Sequence, residues 1–413
     1  MPDLTVVILA GGSSSRFYPL NSYLDKGNSN LLGEAILDRT LRSLSEAGYK
    51  NIVLVTPKPK QEKNNTFNQL VTKHKSQLSI SIVTQESSSG MGEAVLLAAP
   101  HVKTQQFLII APYHTKAGKL SQRLIDLGSS AAIFTTSTDM PWRYGIVTIE
   151  NNLATGITEK PTKGTEFSDQ KVQAIYLLNQ NFLDILKSVE SEQYSFETAL
   201  NLLMQREKVG VVKLEKSLPT LKYSWQLFDF MSLFLADGKT KISETAEVAS
   251  SAVIDDQAGA VIISDSAKIG HAARIVGPCY IGPKTLVGDF SLVRQSNIEA
   301  NVTVGANTEV VRSIIFENTT IHYSYLADSI LGKDNKIAAG LITANKRFDR
   351  QSIKTKVGGK TVDTGCVALG IITGSNVTTG VGVRTMPGVL IADNQVVLPG
   401  TLVQKNIDKK VED

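Results

Sequence analysis

A six-residue apolar period runs through the second half of the chain. After Gly238, Ile269, Ile275, Ile281, Val287 and Val293 recur at intervals of six; the register slips once, and Ile298, Val304 and Val310 continue it. Ile371, Val377, Val383 and Val389 repeat the spacing farther on. Glycine follows several of them, as in Ile269-Gly270, Ile281-Gly282 and Val304-Gly305. A β-sandwich would show alternation at every second residue, which is absent. A period of six fits a hexapeptide solenoid, in which each short strand stacks on the strand of the next coil. The stretch from about Asn345 to Gly370 breaks the period and is expected to leave the solenoid.

The first 238 residues follow another rhythm. Strand-length apolar runs (Asn51 to Thr56, Ser79 to Thr84, Phe107 to Ala111, Ala131 to Thr136, Tyr144 to Glu150) alternate with helical patterns such as Ala35 to Gly48. That order predicts a mostly parallel sheet covered by helices, with ligands at the carboxyl ends of the strands. The first run, Val6 to Ala10, feeds Gly11-Gly12-Ser13-Ser14-Ser15-Arg16. Two glycines permit a sharp turn and close approach of a ligand. The serine N–H groups and hydroxyls suit phosphate oxygens, and Arg16 adds a planar donor fork. The loop alone does not separate a phosphate cradle from a plain turn.

A net charge of +4 over 413 residues is too small to argue for nucleic acid. The basic stretch Lys58 to Lys75 is interrupted by Asn, Gln and Glu and reads as a solvated loop and helix face. Two cysteines, Cys279 and Cys366, make neither a disulfide framework nor a metal cluster and fit a reducing compartment. No apolar run reaches membrane-spanning length, and Met1-Pro2-Asp3 carries no basic leader, so the cytoplasm is the expected location.

Together these segments resemble, nearly end to end, the bifunctional sugar-1-phosphate nucleotidylyltransferase/acetyltransferase family, whose bacterial members make UDP-N-acetylglucosamine and whose archaeal members act on several sugars. The resemblance implies an α/β chain: a Rossmann-like nucleotidyltransferase domain (1–238) followed by a left-handed parallel β-helix of hexapeptide repeats (239–413), assembled as a homotrimer. It implies a nucleoside triphosphate or nucleotide sugar, a sugar-1-phosphate and acetyl-CoA as partners, and magnesium for nucleotidylyl transfer. Leu9 to Leu20 match the family's Leu-Ala-Gly-Gly-x-Gly-Thr-Arg-x-x-Pro-Leu, with Gly11 and Gly12 in the loop and Ser14 and Ser15 replacing Gly and Thr. The Ser14 exchange costs little where that residue needs no positive φ. Lys26, in Asp25-Lys26, stands at the family's phosphate-contacting lysine, and its preceding proline is lost. Gln85 matches the base-reading glutamine, and Gly90-Met91-Gly92 replaces Gly-Thr-Ala. Glu159-Lys160-Pro161 matches the family's Glu-Lys-Pro, which holds sugar and phosphate.

At the family's two metal-binding aspartates this chain has Tyr113 and, after Trp225, Gln226. A phenol and an amide are poor ligands for a hard cation that favours carboxylates, so no metal site is expected. Asp139, Glu197 and Asp229 are the substitutes left nearby, and each also reads as an ordinary surface or cap carboxylate. In the second half, His322-Tyr323-Ser324-Tyr325-Leu326-Ala327-Asp328 resembles the family's His-x-x-Tyr-x-Gly-Asp. By that resemblance His322 is the base, Tyr325 holds the sugar phosphate, and Asn345 is the sugar-binding amide. Lys336 and Ala338 depart from the pattern, and Lys354 and Arg384 read either as phosphate or coenzyme contacts or as solvated charges. Three functions follow: an N-acetyltransferase acting at His322 with an altered nucleotidylyltransferase half, a non-catalytic nucleotide-sugar-binding subunit, and a structural trimer scaffold.

Overall fold

The computed structural model describes residues 4–12, 14–58, 66–86 and 90–408. Ser13 of the opening loop and residues 59–65 of the basic stretch lie outside them. The chain packs as two compact units: Met1–Ser13 with Ile36–Pro219, and Ser14–Ala35 with Thr220–Asp413.

The first unit is built on a nine-stranded sheet. Its strands are β1 (Thr5–Leu9), β2 (Asn51–Pro57), β3 (Ser79–Gln85), β4 (Gln106–Ile110), β5 (Ala131–Ser137), β6 (Gly145–Glu150), β7 (Leu153–Glu159), β8 (Gln170–Asn179) and β9 (Val209–Lys213). They run in the order β3-β2-β1-β4-β8-β5-β9-β7-β6. The strands β3, β2, β1 and β4 are parallel. The sheet departs from the expected mostly parallel pattern at β8, which is antiparallel to both neighbours, and at the β6–β7 hairpin. The β8 segment lacks clean alternation because its second half, Ile175 to Leu178, is buried between two strands.

Helices cover this sheet. Helix α1 (Ile36–Glu46) buries Ile36, Leu37, Leu41 and Leu44 along one stripe and stops at Gly48, whose φ is +83°. Helix α2 (Thr66–His74) ends the basic stretch; Asn68, Gln69, Thr72 and Lys73 are exposed, as a solvated face requires, and His74 departs from that reading. Lys73 and His74 both bond the buried carboxylate of Asp38, and His74 is itself buried. A buried carboxylate left alone would be costly, so two donors converge on it.

In the second unit three eight-stranded parallel sheets form the sides of the solenoid. They begin at Lys241–Ile242, Glu247–Val248 and Val253–Asp255 and end at Leu390–Ile391, Val396–Val397 and Leu402–Val403. This is the left-handed β-helix of hexapeptide repeats that the sequence implies. Equivalent side chains stack: Ile263 on Ile281, Ile281 on Ile298, Ile298 on Ile315, Ile315 on Leu331. Each fully buried aliphatic side chain contributes about 1.5–3 kcal/mol. The register slips more than once, because Ile315, Leu326 and Leu331 each come five residues after the last anchor. In the last coils Val377 and Val383 stay buried while Thr379 and Thr385 take the stacked strand position. The period of six therefore persists on a neighbouring inward position.

Two details explain the glycines and the corners. A Cβ on Gly282 would lie 2.6 Å from the carbonyl carbon of Glu299 in the next coil. Asn301, Asn318 and Asn394 turn corners at φ of +57°, +61° and +59°, a region that asparagine tolerates better than most residues. Residues 346–369 leave the solenoid as expected and include the hairpin Lys354–Val357 with Lys360–Asp363.

The segment Ser14–Ala35 belongs to the solenoid unit through named bonds. The Tyr18 hydroxyl donates to Asp408 Oδ1 at 2.8 Å, and the Leu32 N–H donates to Asn297 Oδ1 at 2.7 Å. Ser14 sits at φ +50°. Serine here occupies the left-handed region after all, which costs roughly 1–2 kcal/mol relative to a residue free to adopt it.

Candidate functional site

In the first unit the predicted residues gather at one edge of the sheet. Parallel pairing places the carboxyl ends of β1, β3 and β4 together, so Gly11-Gly12, Gln85 and Tyr113 share that edge. Glu159 joins them through a chain of pairings: Thr136 faces Lys171, Lys171 faces Ile146, and neighbouring Gly145 faces Glu159. Gln85 is buried and closes the floor of the loop. A Cβ on Gly11 would lie 2.4 Å from Gln85 Oε1, while Gln85 Nε2 donates to Glu93 at 2.6 Å. Gly12 turns at φ +94°. Gly90 has φ +120°, and a Cβ there would meet the Gln193 carbonyl oxygen at 2.8 Å, so only glycine fits.

Lys160 Nζ lies 3.0 Å from Glu159 and 5.6 Å from the ring centre of Tyr194. Burial pulls the Lys160 pKa down, and its bond to Glu159 outweighs that and holds the ammonium charged. Glu197 has a buried oxygen, Oε2, without a partner. Burial raises its pKa, and repulsion from Glu159 adds to the rise. Burial likewise raises Tyr176, within the fields of Glu197, Glu159 and Tyr113.

Arg16 and Lys26 lie in the second unit, with Lys222. Burial of Lys26, together with repulsion from Arg16 and Lys222, lowers its pKa to about 8. Lys26 thus lies in the fields of two other cations, partly offset by that of Asp25, and such a concentration of positive charge suits an anion. Gln226 serves the same corner structurally. Its Oε1 accepts from the backbone N–H groups of Lys222 at 2.6 Å and Tyr223 at 2.9 Å, and its Nε2 donates to Thr220 Oγ1 at 3.1 Å. The amide is committed at both ends. Neither it nor the Tyr113 phenol offers an anionic oxygen, and the described residues hold no group of three His, Cys, Asp or Glu able to ligate a metal.

Along the solenoid, His322 follows the strand Thr320–Ile321 and is exposed. Its N–H donates to the Ile337 carbonyl at 3.0 Å, and its own carbonyl accepts from Ser324 Oγ at 2.6 Å. Tyr325 opens the next strand, Tyr325–Ala327, and stacks on Ile342. Asn345 follows Ile342–Thr343, one coil on, where its Nδ2 donates to Asp328 Oδ2 at 2.5 Å. Lys336 and Arg384 are exposed outward positions on their strands, and Lys354 is exposed on the excursion hairpin.

Sequence reading gave no role to Lys222, Arg312 or Asp328. Arg312 precedes Asp328 by sixteen residues, a coil's length. That separation was the available signal, because residues one coil apart are stacked.

A nucleotidyl transferase family model matches residues 5–219, about half of the chain. The chain belongs to the nucleotidyl transferase family. Likeness to named proteins extends through the solenoid as well. A bifunctional sugar-1-phosphate nucleotidylyltransferase/acetyltransferase of Sulfurisphaera tokodaii is 29% identical over 411 residues, 97% of each chain. A bifunctional protein GlmU of Methanococcus maripaludis is 30% identical over 413 residues, covering 98% of this chain and 96% of that one. GlmU of Methanococcus vannielii is 28% identical over 417 residues, covering 98% and 96%. The transferase thus shares the two-part architecture of nucleotidyltransferase/acetyltransferase enzymes. Among its described residues no helix is long and apolar enough to cross a membrane.

Proposed function

We propose that this transferase acts in sugar-nucleotide biosynthesis as an acetyl-CoA-dependent N-acetyltransferase on an amino-sugar-1-phosphate, with functional halves at 1–238 and 239–413. The supporting observation is the exposed His322 before the strand that Tyr325 opens, together with Asn345 one coil on, beyond the strand that stacks on Tyr325. The amine nitrogen of the acceptor attacks the thioester carbonyl. His322 takes the proton that the nitrogen sheds, the C–S bond breaks, and the coenzyme leaves as a thiolate that is then protonated. Asn345 and Tyr325 orient the sugar phosphate. A homotrimer in the cytoplasm is the setting that the family resemblance suggests.

For the first half we favour binding of a nucleoside triphosphate or nucleotide sugar at Gly11, Gly12, Gln85, Gly90, Glu159 and Lys160, without efficient nucleotidylyl transfer. Magnesium would screen the triphosphate and stabilise the pyrophosphate leaving group. Committed Gln226 and phenolic Tyr113 supply no ligand for it. The same observation favours a second reading, a nucleotide-sugar-binding subunit without catalysis in either half.

Two assays on the purified chain separate these readings. Glucosamine-1-phosphate with acetyl-CoA should release free thiol; no release above background refutes the acetyltransferase. UTP or dTTP with a hexose-1-phosphate and magnesium should release little pyrophosphate. Rapid release would show that the cation is held by other groups.

A further inference from the structure

The Asn345 amide donates to a buried carboxylate, Asp328, which is paired with the half-exposed Arg312. Asp328 is only 7% exposed and turns at φ +48°. The guanidinium of Arg312 meets it with two parallel bonds, Nε to Oδ1 and Nη2 to Oδ2, both 2.7 Å. Arg312 belongs to the coil next to Asp328, whose N–H donates to the Val311 carbonyl at 2.9 Å. The bond to Asp328 keeps Arg312 charged, raising its pKa against the pull of burial. Phe228, Met231 and Leu235 line, with the pair, a cavity of about 730 Å³, and apolar neighbours strengthen such bonds by lowering the local dielectric.

An ionised carboxylate can only accept. Asn345 must therefore turn its NH2 toward Asp328 and its carbonyl oxygen, Oδ1, away from it. That oxygen has no protein donor among the described residues.

We propose that Asp328, clamped by Arg312, is a positioning residue that fixes Asn345 as an acceptor, so that the group read there is a hydrogen-bond donor of the ligand, a sugar hydroxyl or an amine. This deepens the acetyltransferase reading and rests on its placement of the amino-sugar phosphate at Tyr325 and Asn345. A site built to accept from a donor rejects a group that can only accept, because two oxygens would then face each other unpaired. The Arg312–Asp328 clamp thus selects against phosphate or carbonyl oxygens at Asn345 and leaves His322 to meet the reacting nitrogen.

The test is direct binding, so that it does not depend on turnover. Glucosamine-1-phosphate is titrated calorimetrically into the full chain carrying Asp328→Ala, Asn345→Ala or both. Each single variant should bind at least tenfold more weakly than the parent, and the double variant no more weakly than Asn345→Ala alone. Arg312→Lys, which keeps the charge and loses the two-pronged geometry, should fall in between and serves as the readout where Asp328→Ala does not fold. Losses that multiply in the double variant, unchanged affinity in the single ones, or no binding by the parent would overturn the proposal. Binding with the expected pattern but without thiol release would instead remove the acetyltransferase reading and leave the positioning role standing.

Discussion

The two units handle polar groups in opposite ways. In the sheet unit the polar side chains at the ligand edge are held by non-repeating tertiary contacts. Gln85 lies over Gly11 and reaches Glu93, and Glu159 pairs with Lys160. In the solenoid unit the same kinds of group are held by repetition. The Ser313 N–H donates to Ser296 Oγ one coil away, and the Ser329 N–H donates in turn to Ser313 Oγ. A stacked architecture gives every residue the neighbours of its equivalent in the next coil. Chemistry there can be added at one position with little change elsewhere, as the Arg312–Asp328–Asn345 cluster illustrates. At the sheet edge, replacing one residue alters several partners.

The sharpest way to break this contrast is His322→Ala. Removing a general base costs about 10²–10⁴-fold, so thiol release should fall by that range. Nucleotide binding measured by calorimetry, which draws on the sheet edge, should stay unchanged. A parallel fall in both would mean that the division of labour is wrong.

Next in size is Ile298→Ala. Ile298 is fully buried and stacked between Ile281 and Ile315. Truncating it should cost about 2–5 kcal/mol. Because coils touch only their neighbours, hydrogen exchange should speed up in the adjacent coils and leave the nine-stranded sheet untouched. Uniform loss of protection in both units would contradict the one-dimensional picture.

A smaller effect concerns Lys26. Its ammonium is charged below about pH 8 and neutral above. An anion prefers the charged form, so affinity is fully present below that pH and lost as pH rises through it. Pyrophosphate should therefore bind about tenfold more weakly at pH 9 than at pH 7. Lys26→Arg, which stays protonated, should flatten the profile, as followed by calorimetry across the range.

The smallest is Ser14→Gly, which frees a residue held at φ +50° and should raise the stability of the folded chain by up to about 1 kcal/mol in a denaturant titration. A loss of stability would show that the serine side chain makes up for its backbone.

Much of this molecule was legible before folding was considered. The period of six specified a solenoid because a stacked coil repeats its environment, so each inward position demands the same kind of side chain. The strand–helix rhythm of the first half likewise specified a helix-covered sheet. Motif matches nominated Gly11, Gln85, Glu159, His322 and Asn345 one residue at a time. Strand β8 escaped because its buried half, Ile175 to Leu178, carries no alternation. Asp38 escaped because its partners, Lys73 and His74, lie on another helix.

Tertiary structure alone decided how the polar groups are spent. It placed Ser14–Ala35 in the solenoid unit through bonds such as Tyr18 to Asp408, 390 residues apart. It committed both ends of the Gln226 amide, and it turned the Asn345 amide by way of Asp328 and Arg312. A sequence records which donors and acceptors a chain owns, and periodicity tells which side chains face inward. The pairing of one donor with one acceptor depends on distances and angles that only the folded chain sets, and a residue's chemical role follows from whichever of its atoms that pairing leaves available.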